Sequence, residues 1–276
     1  MMKPHRMQKQ GNSKNNTEKN KIQEKYLKIF IFSYPLIAAA ASLLLNANFL
    51  ISILIFLGFP SLVLSLKSKH LVKKTAFFSA ILTPPLTIIV DYIAQITRTW
   101  DVQTVFPRLF GVIVIEQFIM VFLWTYFVIM YYEHFLAHKI KDRLYYPHIK
   151  YIALLFYALL LGFFIVLVAK PEILSIKYFY LKIGLLVALP PIVFAAFKLP
   201  NIWTKLLKAA AYFFYFSFIY EVTALQLGQW NFPSTQFIGW VSIGSIRFPL
   251  EELIFWILLG ALTTLSYYEF FDDKQG

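Results

Sequence analysis

Five acidic residues stand inside or at the edges of long apolar stretches of this chain: Asp91, Glu116, Glu221, Glu251 and Glu252. A carboxylate in hydrocarbon costs about 2 to 3.5 kcal/mol on insertion scales, so an acid retained there reads as functional. Desolvation favours the neutral form of a carboxyl, and two carboxyls sharing one site do not ionise together readily. Such a cluster is suited to hold a COOH at neutral pH. That acid can protonate a substrate whose only handle is a carbon–carbon double bond. A neighbouring carboxylate, with Trp and Tyr faces, can then steady the resulting carbocation by charge and cation–π attraction. Two plainer readings stand beside this one. Glu251 and Glu252 follow Pro249 at a helix start, where the macrodipole favours acids in any protein. Asp91 and Glu221 can instead brace helices by pairing with Arg98 or Arg247.

Other chemistries have less behind them. Cysteine is absent, which excludes disulfides, a thiolate nucleophile and Cys-ligated metal centres. The five histidines (His5, His70, His134, His138, His148) fall outside the apolar stretches. His134 and His138 are four apart, but no metalloprotease arrangement surrounds them, and no metal site is expected. No Gly-rich phosphate or dinucleotide fingerprint occurs, so no nucleotide cofactor is expected. Asp272-Asp273 is a lone pair near the C-terminus, which disfavours a metal-dependent prenyltransferase.

The elements that must position the acids follow from composition. Of 276 residues, 59% are hydrophobic and 14% charged, against roughly a quarter charged in a soluble domain. A water-soluble domain this apolar would expose surface it could not cover, and a multi-span membrane protein resolves the conflict. Apolar stretches near the ~20 residues a helix needs to cross a bilayer predict eight spans. They run over about Leu27 to Leu45, Phe49 to Leu66, Thr75 to Ile96, Leu109 to Tyr132, Tyr151 to Ala169, Tyr178 to Phe197, Ala209 to Leu225 and Pro249 to Tyr268. Prolines inside the second (Pro60), third (Pro84, Pro85) and sixth (Pro190, Pro191) require neighbours to satisfy freed backbone groups, or kinks.

With both termini inside, 20 of the 26 Lys and Arg fall on the cytoplasmic side; Arg98, Arg108, Lys170, Lys177, Lys182 and Arg247 fall on the other. That bias predicts a multi-pass protein of the cell (inner) membrane with cytoplasmic N- and C-termini. Residues 1–25 lack an apolar segment followed by a cleavage site. They read as a disordered basic tail drawn to anionic headgroups, with nucleic acid not expected as a partner.

Comparing the chain with itself exposes a repeat. Pro60 and Pro190, Asp91 and Glu221, and Trp100 and Trp230 are each 130 residues apart. After a longer second loop, Glu116-Gln117 falls opposite Glu251-Glu252, and Tyr131-Tyr132-Glu133 opposite Tyr267-Tyr268-Glu269. The expected fold is thus an all-α membrane protein built as two parallel tandem repeats of four spans, residues 26–135 and 151–271, joined by a cytoplasmic linker over 136–150 and ending in a tail over 272–276. Two copies with the same orientation share an axis along the membrane normal, and sites lie between them. All five acids then sit at similar depth. Trp100, Trp230, Tyr92, Tyr220 and Gln117 flank them as candidate substrate-binding residues. The aromatic loop from Gly228 to Phe248 reads as a hairpin or re-entrant lid. Glu133 and Glu269 read as interface anchors, and Trp124 and Trp256 as packing or lipid contacts.

At Pro249-Leu250-Glu251-Glu252-Leu253-Ile254-Phe255, preceded by the aromatic loop and by Glu221, the sequence resembles the lycopene cyclase domain family. These are the integral-membrane carotenoid cyclases of heterodimeric bacterial type, also found fused to phytoene synthase in fungi. The family is marked by Pro-x-Glu-Glu followed by apolar aromatic residues and by a tandem of membrane units. The resemblance spans about Leu27 to Phe271, specific in the second half and looser in the first, where Val114-Ile115-Glu116-Gln117 replaces the motif. It implies a redox-neutral cyclisation without metal or cofactor. An acid protonates the terminal double bond of a linear carotene, an internal double bond attacks the tertiary cation, and a base removes a proton to leave a ring. It implies Glu251 and Glu252 as acid or base, Glu116 as their partner, and Asp91 and Glu221 in support. It also implies a hydrophobic polyene or isoprenoid substrate, the lipid membrane and carotenoid-pathway enzymes as partners. A relative that adds water to the same cation would need nearly the same residues. The competing class is non-enzymatic: a small transporter, or a lipid- or quinone-binding protein whose acids move protons or brace helices.

Overall fold

The computed structural model describes residues 5–137 and 150–271. Most of the linker expected over 136–150 and the tail expected over 272–276 lie outside these residues, with His138, His148 and Asp272-Asp273. The chain is 77% helical, an all-α fold.

Helix α1 covers His5–Leu44. Helix α2 (Phe49–Ile53), capped by the Asn48 side chain on the Ile51 N–H at 3.0 Å, runs through a π-helical turn (Leu54–Gly58) into α3 (Phe59–Lys67). Helices α4 (Lys69–Ile96) and α5 (Ile115–Phe135) follow, with the two-residue strand β1 (Asp101–Val102) between them. Then come α6 (Lys150–Ala169), α7 (Phe179–Lys198) and α8 (Pro200–Gln226). Strand β2 (Trp230–Asn231) pairs antiparallel with β1, and β3 (Trp240–Ile243) forms a hairpin with β4 (Ile246–Pro249). A π-helical segment (Glu252–Leu258) and α9 (Gly260–Phe271) complete the chain, bent by 49° between them. A π-type turn is one of the few named causes of such a bend, and here the Leu259 N–H reaches back five residues to the Ile254 carbonyl.

Among the described residues, five helical segments are long and apolar enough to cross a membrane, and a sixth if the bent pair is one span; Ala153–Ala169 is a shorter apolar helix. The second expected span is continuous through Gly58 and Pro60. The fourth begins later than its apolar run, at Ile115, because Leu109 pairs back on Ile113 around a tight turn with left-handed Phe110 and Gly111. Helix α8 begins earlier, at Pro200, a residue suited to a first turn. The N-terminal stretch expected to be disordered is helical from His5, consistent with its run of Lys, Glu and Gln, all good helix formers.

The core lies where α5 meets α8 and the π turn of the second span. There Phe127, Phe213 and Phe216 are wholly buried, and Phe56 stacks on Tyr220 at 4.5 Å between ring centroids.

A proline inside a helix deprives the carbonyl four residues back of its donor, and in hydrocarbon no water replaces it. At three of the five helix-interior prolines of the described residues, and at one π turn, neighbouring tyrosines do. Pro35 frees the Ile31 carbonyl, which accepts from Tyr212 Oη at 3.0 Å. Pro85 frees that of Ile81, which accepts from Tyr157 at 3.1 Å, and Pro191 frees that of Val187, which accepts from Tyr267 at 2.9 Å. In the π turn the Phe59 N–H skips Ile55 for Leu54, and Tyr34 donates to the Ile55 carbonyl at 2.7 Å. Each tyrosine comes from another helix, so the backbone defects and the helix packing are one device.

Tyr267→Phe is expected to lower stability in detergent micelles by about 1 kcal/mol, within the range measured for interhelical hydrogen bonds in membranes. In a Pro191→Ala background the restored N–H supplies the carbonyl, and the same substitution should then cost little. A double-mutant cycle read by denaturant unfolding checks this, and equal losses in both backgrounds would refute the pairing.

Candidate functional site

Helices α4 and α8 end in the same way. Residues Thr97 and Leu227 close them with nearly identical dihedrals, Arg98 (φ 53°) and Gly228 (φ 64°) turn left-handed, and Thr99 and Gln229 donate back to the carbonyls of Ala94 and Ala224. This reversal returns an indole under the last turn of each helix. Trp100 Nε1 donates to Asp91 Oδ1 at 3.2 Å, and Trp230 Nε1 to Glu221 Oε1 at 3.0 Å. The Val102–Trp230 and Asp101–Asn231 register of β1 and β2 then ties the two returns together.

The two acids differ in their remaining partners. Asp91 is also reached by Gln95 Nε2 at 3.3 Å and by the Val114 backbone N–H at 2.8 Å, giving three donors, the pattern that suits a carboxylate. Arg108 stands one step behind, on Gln95 Oε1 at 2.5 Å and Asp101 Oδ1 at 3.0 Å. In the second half the residue aligned with Val114 is Pro249, which has no N–H to give. Glu221 has the Glu252 carboxyl beside it instead, on the residue aligned with Gln117, and its own Oε2 is buried without a donor. Two carboxylates hold no hydrogen between them, so a hydrogen bond within this pair would take one shared proton. Tyr180 Oη donates to Glu252 Oε2 at 2.5 Å. Among the described residues no Lys or Arg forms an ion pair with Asp91, Glu221 or Glu252; Arg247, one proposed bracing partner, lies over the Trp240 ring at 4.3 Å.

Asp91 and Glu252 line one cavity of about 270 Å³, enclosed by α4, α5, α7, the final π segment and α9. Trp100, Trp230 and Gln117 line it as well. So do Tyr180, Trp124, Trp256 and Phe255, which sequence reasoning did not place there. Trp124 and Trp256 do pack on each other, at 4.7 Å between centroids, and the pair forms a wall. The wall approaches α7 closely at Gly184, where a Cβ would stand 2.3 Å from the Phe255 ring. The loop expected as a hairpin or re-entrant lid forms the β3–β4 hairpin, with Phe237 packed edge-on to Trp240; no residue of either strand lines the cavity.

The five acids do not all converge. Glu116, wholly buried, accepts the backbone N–H groups of Val105 and Phe106 at 2.5 and 2.8 Å, and Glu251, also buried, accepts that of Ile238 at 2.8 Å. Each pins the loop that precedes its helix. Tyr220 faces Phe56 and Trp230, and Tyr92 faces Phe163 on α6; neither lines the cavity. Glu133 and Glu269, read as interface anchors, are buried: Glu133 accepts from Tyr268 Oη at 2.5 Å and lies 3.6 Å from Lys74 Nζ.

Glu251→Ala should raise amide exchange at Ile238 about tenfold or more, and Glu116→Ala that at Val105 and Phe106, since each strips a loop N–H of its side-chain acceptor. Glu252→Gln should leave all three amides protected. Hydrogen-exchange mass spectrometry distinguishes these outcomes, and equal protection in all variants would place the loop anchors elsewhere. Compared with models of protein families, with curated proteins and with solved structures, this chain matches none.

Proposed function

We propose that the chain is a membrane enzyme of the carotenoid-cyclase kind, with Glu252 as the acid that opens the reaction on an apolar polyene or isoprenoid end group. The observation that carries this reading is the Glu221–Glu252 carboxyl pair: buried, hydrogen-bonded by Tyr180 and Trp230, unpaired with any described cation, and edging a cavity walled by aromatic rings. An acid in that place has a proton to give and no water to lose it to.

In the proposed reaction Glu252 passes its proton to the terminal double bond of the substrate, leaving a tertiary cation. An internal double bond of the same molecule attacks that cation, and a base removes one proton from the cyclised cation, so no redox partner is needed. Asp91, across the same cavity and held by three donors, is placed to balance the cation and to take that proton; Trp100, Trp124, Trp230 and Trp256 offer π faces to it. Glu251 and Glu116, which the resemblance to lycopene cyclase domains gives as acid or base and its partner, act in this version by holding loops. The cavity is the size of one end group rather than of a whole polyene, so the rest of the substrate lies outside it, toward lipid.

The same reading takes the fold as eight spans in two parallel repeats. Its support is the agreement of helix ends, indole contacts and loop-pinning acids at corresponding positions of the halves. With the Lys-rich ends of the spans in the cytoplasm, the cavity acids lie in the outer half of the bilayer.

Expression in a bacterium that accumulates lycopene is expected to yield a cyclised product by chromatography. Glu252→Gln should reduce conversion at least 100-fold, the scale of losing a general acid. Glu251→Gln, which keeps an acceptor oxygen for Ile238, should retain much of it. Unchanged pigment from well-inserted protein would exclude this substrate, and activity lost in Glu251→Gln but kept in Glu252→Gln would reverse the assignment.

A further inference from the structure

The cavity-facing acids stand at one end of a row. On α4, Thr75, Ser79, Thr83 and Thr87 precede Asp91 at strict four-residue spacing, so each is a surface neighbour of the next in a row that winds about 160° round the helix, and none is more than 5% exposed. The row spans about 24 Å at 1.5 Å per residue, most of the thickness of a bilayer's hydrocarbon core. Ser79 and Thr83 donate to the carbonyls of Thr75 and Ser79, which leaves their lone pairs free to accept. The Oγ1 atoms of Thr75 and Thr87 are buried without a hydrogen-bond partner, and Thr87 lines the cavity opposite Thr263, whose hydroxyl is in the same state. Orphaned hydroxyls in an apolar interior are the places where water binds.

Packing alone does not require this row. At the 130-residue offset α8 carries Lys205, Ala209, Phe213 and Ser217 before Glu221; Ala209, Phe213, Ser217 and Glu221 are buried. At two of these positions, Ala209 and Phe213, α8 has carbon where α4 keeps hydroxyls, and of the two helices α4 is the one that borders the cavity. The far end of the row also has a polar terminus. Lys74, one-third exposed, lies 3.6 Å from the buried Glu133 and 4.9 Å from the centre of the Tyr268 ring.

We propose that the α4 hydroxyl row is a proton route from the Lys-rich end of the bundle to the cavity acids. Successive hydroxyls are about 6 Å apart, so one water bridges each gap. Each hydroxyl accepts a proton on a lone pair and passes its own onward, and no group changes its covalent state. The route rests on the acid pair proposed above, and gives that pair exchange with water without opening the oily side of the cavity.

The test uses full-length protein in lipid bilayers and infrared spectroscopy. The carboxyl C=O band that Glu252→Gln removes is identified first, and its shift is then timed after transfer to D₂O. Thr83→Val and Ser79→Ala are each expected to slow the shift at least tenfold, Thr83→Ser to keep the wild-type rate, and Ser217→Ala on the α8 face to leave it unchanged. Wild-type rates in both Thr83→Val and Ser79→Ala overturn the route alone. A Ser217→Ala effect as large as that of Thr83→Val overturns its assignment to α4. Absence of any band sensitive to Glu252→Gln overturns the shared proton, and with it both the route and the acid reading.

Discussion

Inside a bilayer no water is at hand, so each backbone or side-chain polar group must find its partner within the protein. The fold of this chain can be read as a set of answers to that demand. Three helix-interior prolines and one π turn each strand a carbonyl, and in each case a tyrosine from a different helix supplies the missing donor. The phenol suits the task because its ring fills apolar space between helices while its hydroxyl reaches a main chain. These bonds fix which helices are neighbours and at what height, and so set the walls between which the acids stand.

The same demand explains why five buried acids came to have different roles. Glu116 and Glu251 sit in the first turn of their helices, where loop amides within reach need acceptors, and they are consumed in supplying them. Asp91 is enclosed by donors from its own helix, the returning Trp100 and the Val114 backbone. Glu221 has a returning indole too, but Pro249 withholds the backbone donor that its counterpart enjoys. Its remaining oxygen is buried without a donor, and the group set against it is another carboxyl, that of Glu252. A single residue without an N–H thus opens a donor shell that is closed around Asp91, and on the proposed reading a shared proton fills the gap.

Much of this was legible in the sequence, and what was not has physical reasons. Apolar length located the helices, and the 130-residue offset paired Asp91 with Glu221 and Trp100 with Trp230, because a tandem repeat must place corresponding residues alike. Boundaries failed where apolar residues serve a turn, as at Leu109 and Phe110, or where a proline opens a helix in a polar stretch, as at Pro200. The choice between Glu251 and Glu252 was not legible at all. Adjacent residues of a helix point about 100° apart, and only the register of the π segment decides which one meets the cavity. Tyr180 was not legible either, since nothing local to it marks a partner 72 residues away.

On the proposed reading of the two halves as copies, their departures from one another say more than their likeness. Had the halves remained equivalent, two like spaces would flank the central α5 and α8, each with its acid and indole. One of them is instead filled, by Phe56 lodged against Tyr220 and Phe216, while the other is left open between α4 and α7, where Gly184 rather than a larger residue faces Phe255. Some of the differences coincide: the open space, the second carboxyl, Glu252, in place of Gln117 and the Thr87 hydroxyl of α4 meet at one cavity. Chance loss of symmetry would scatter such changes over both halves. On the proposed reading, their convergence is what a duplicated scaffold would acquire when one of two equivalent sites is kept for packing and the other for chemistry.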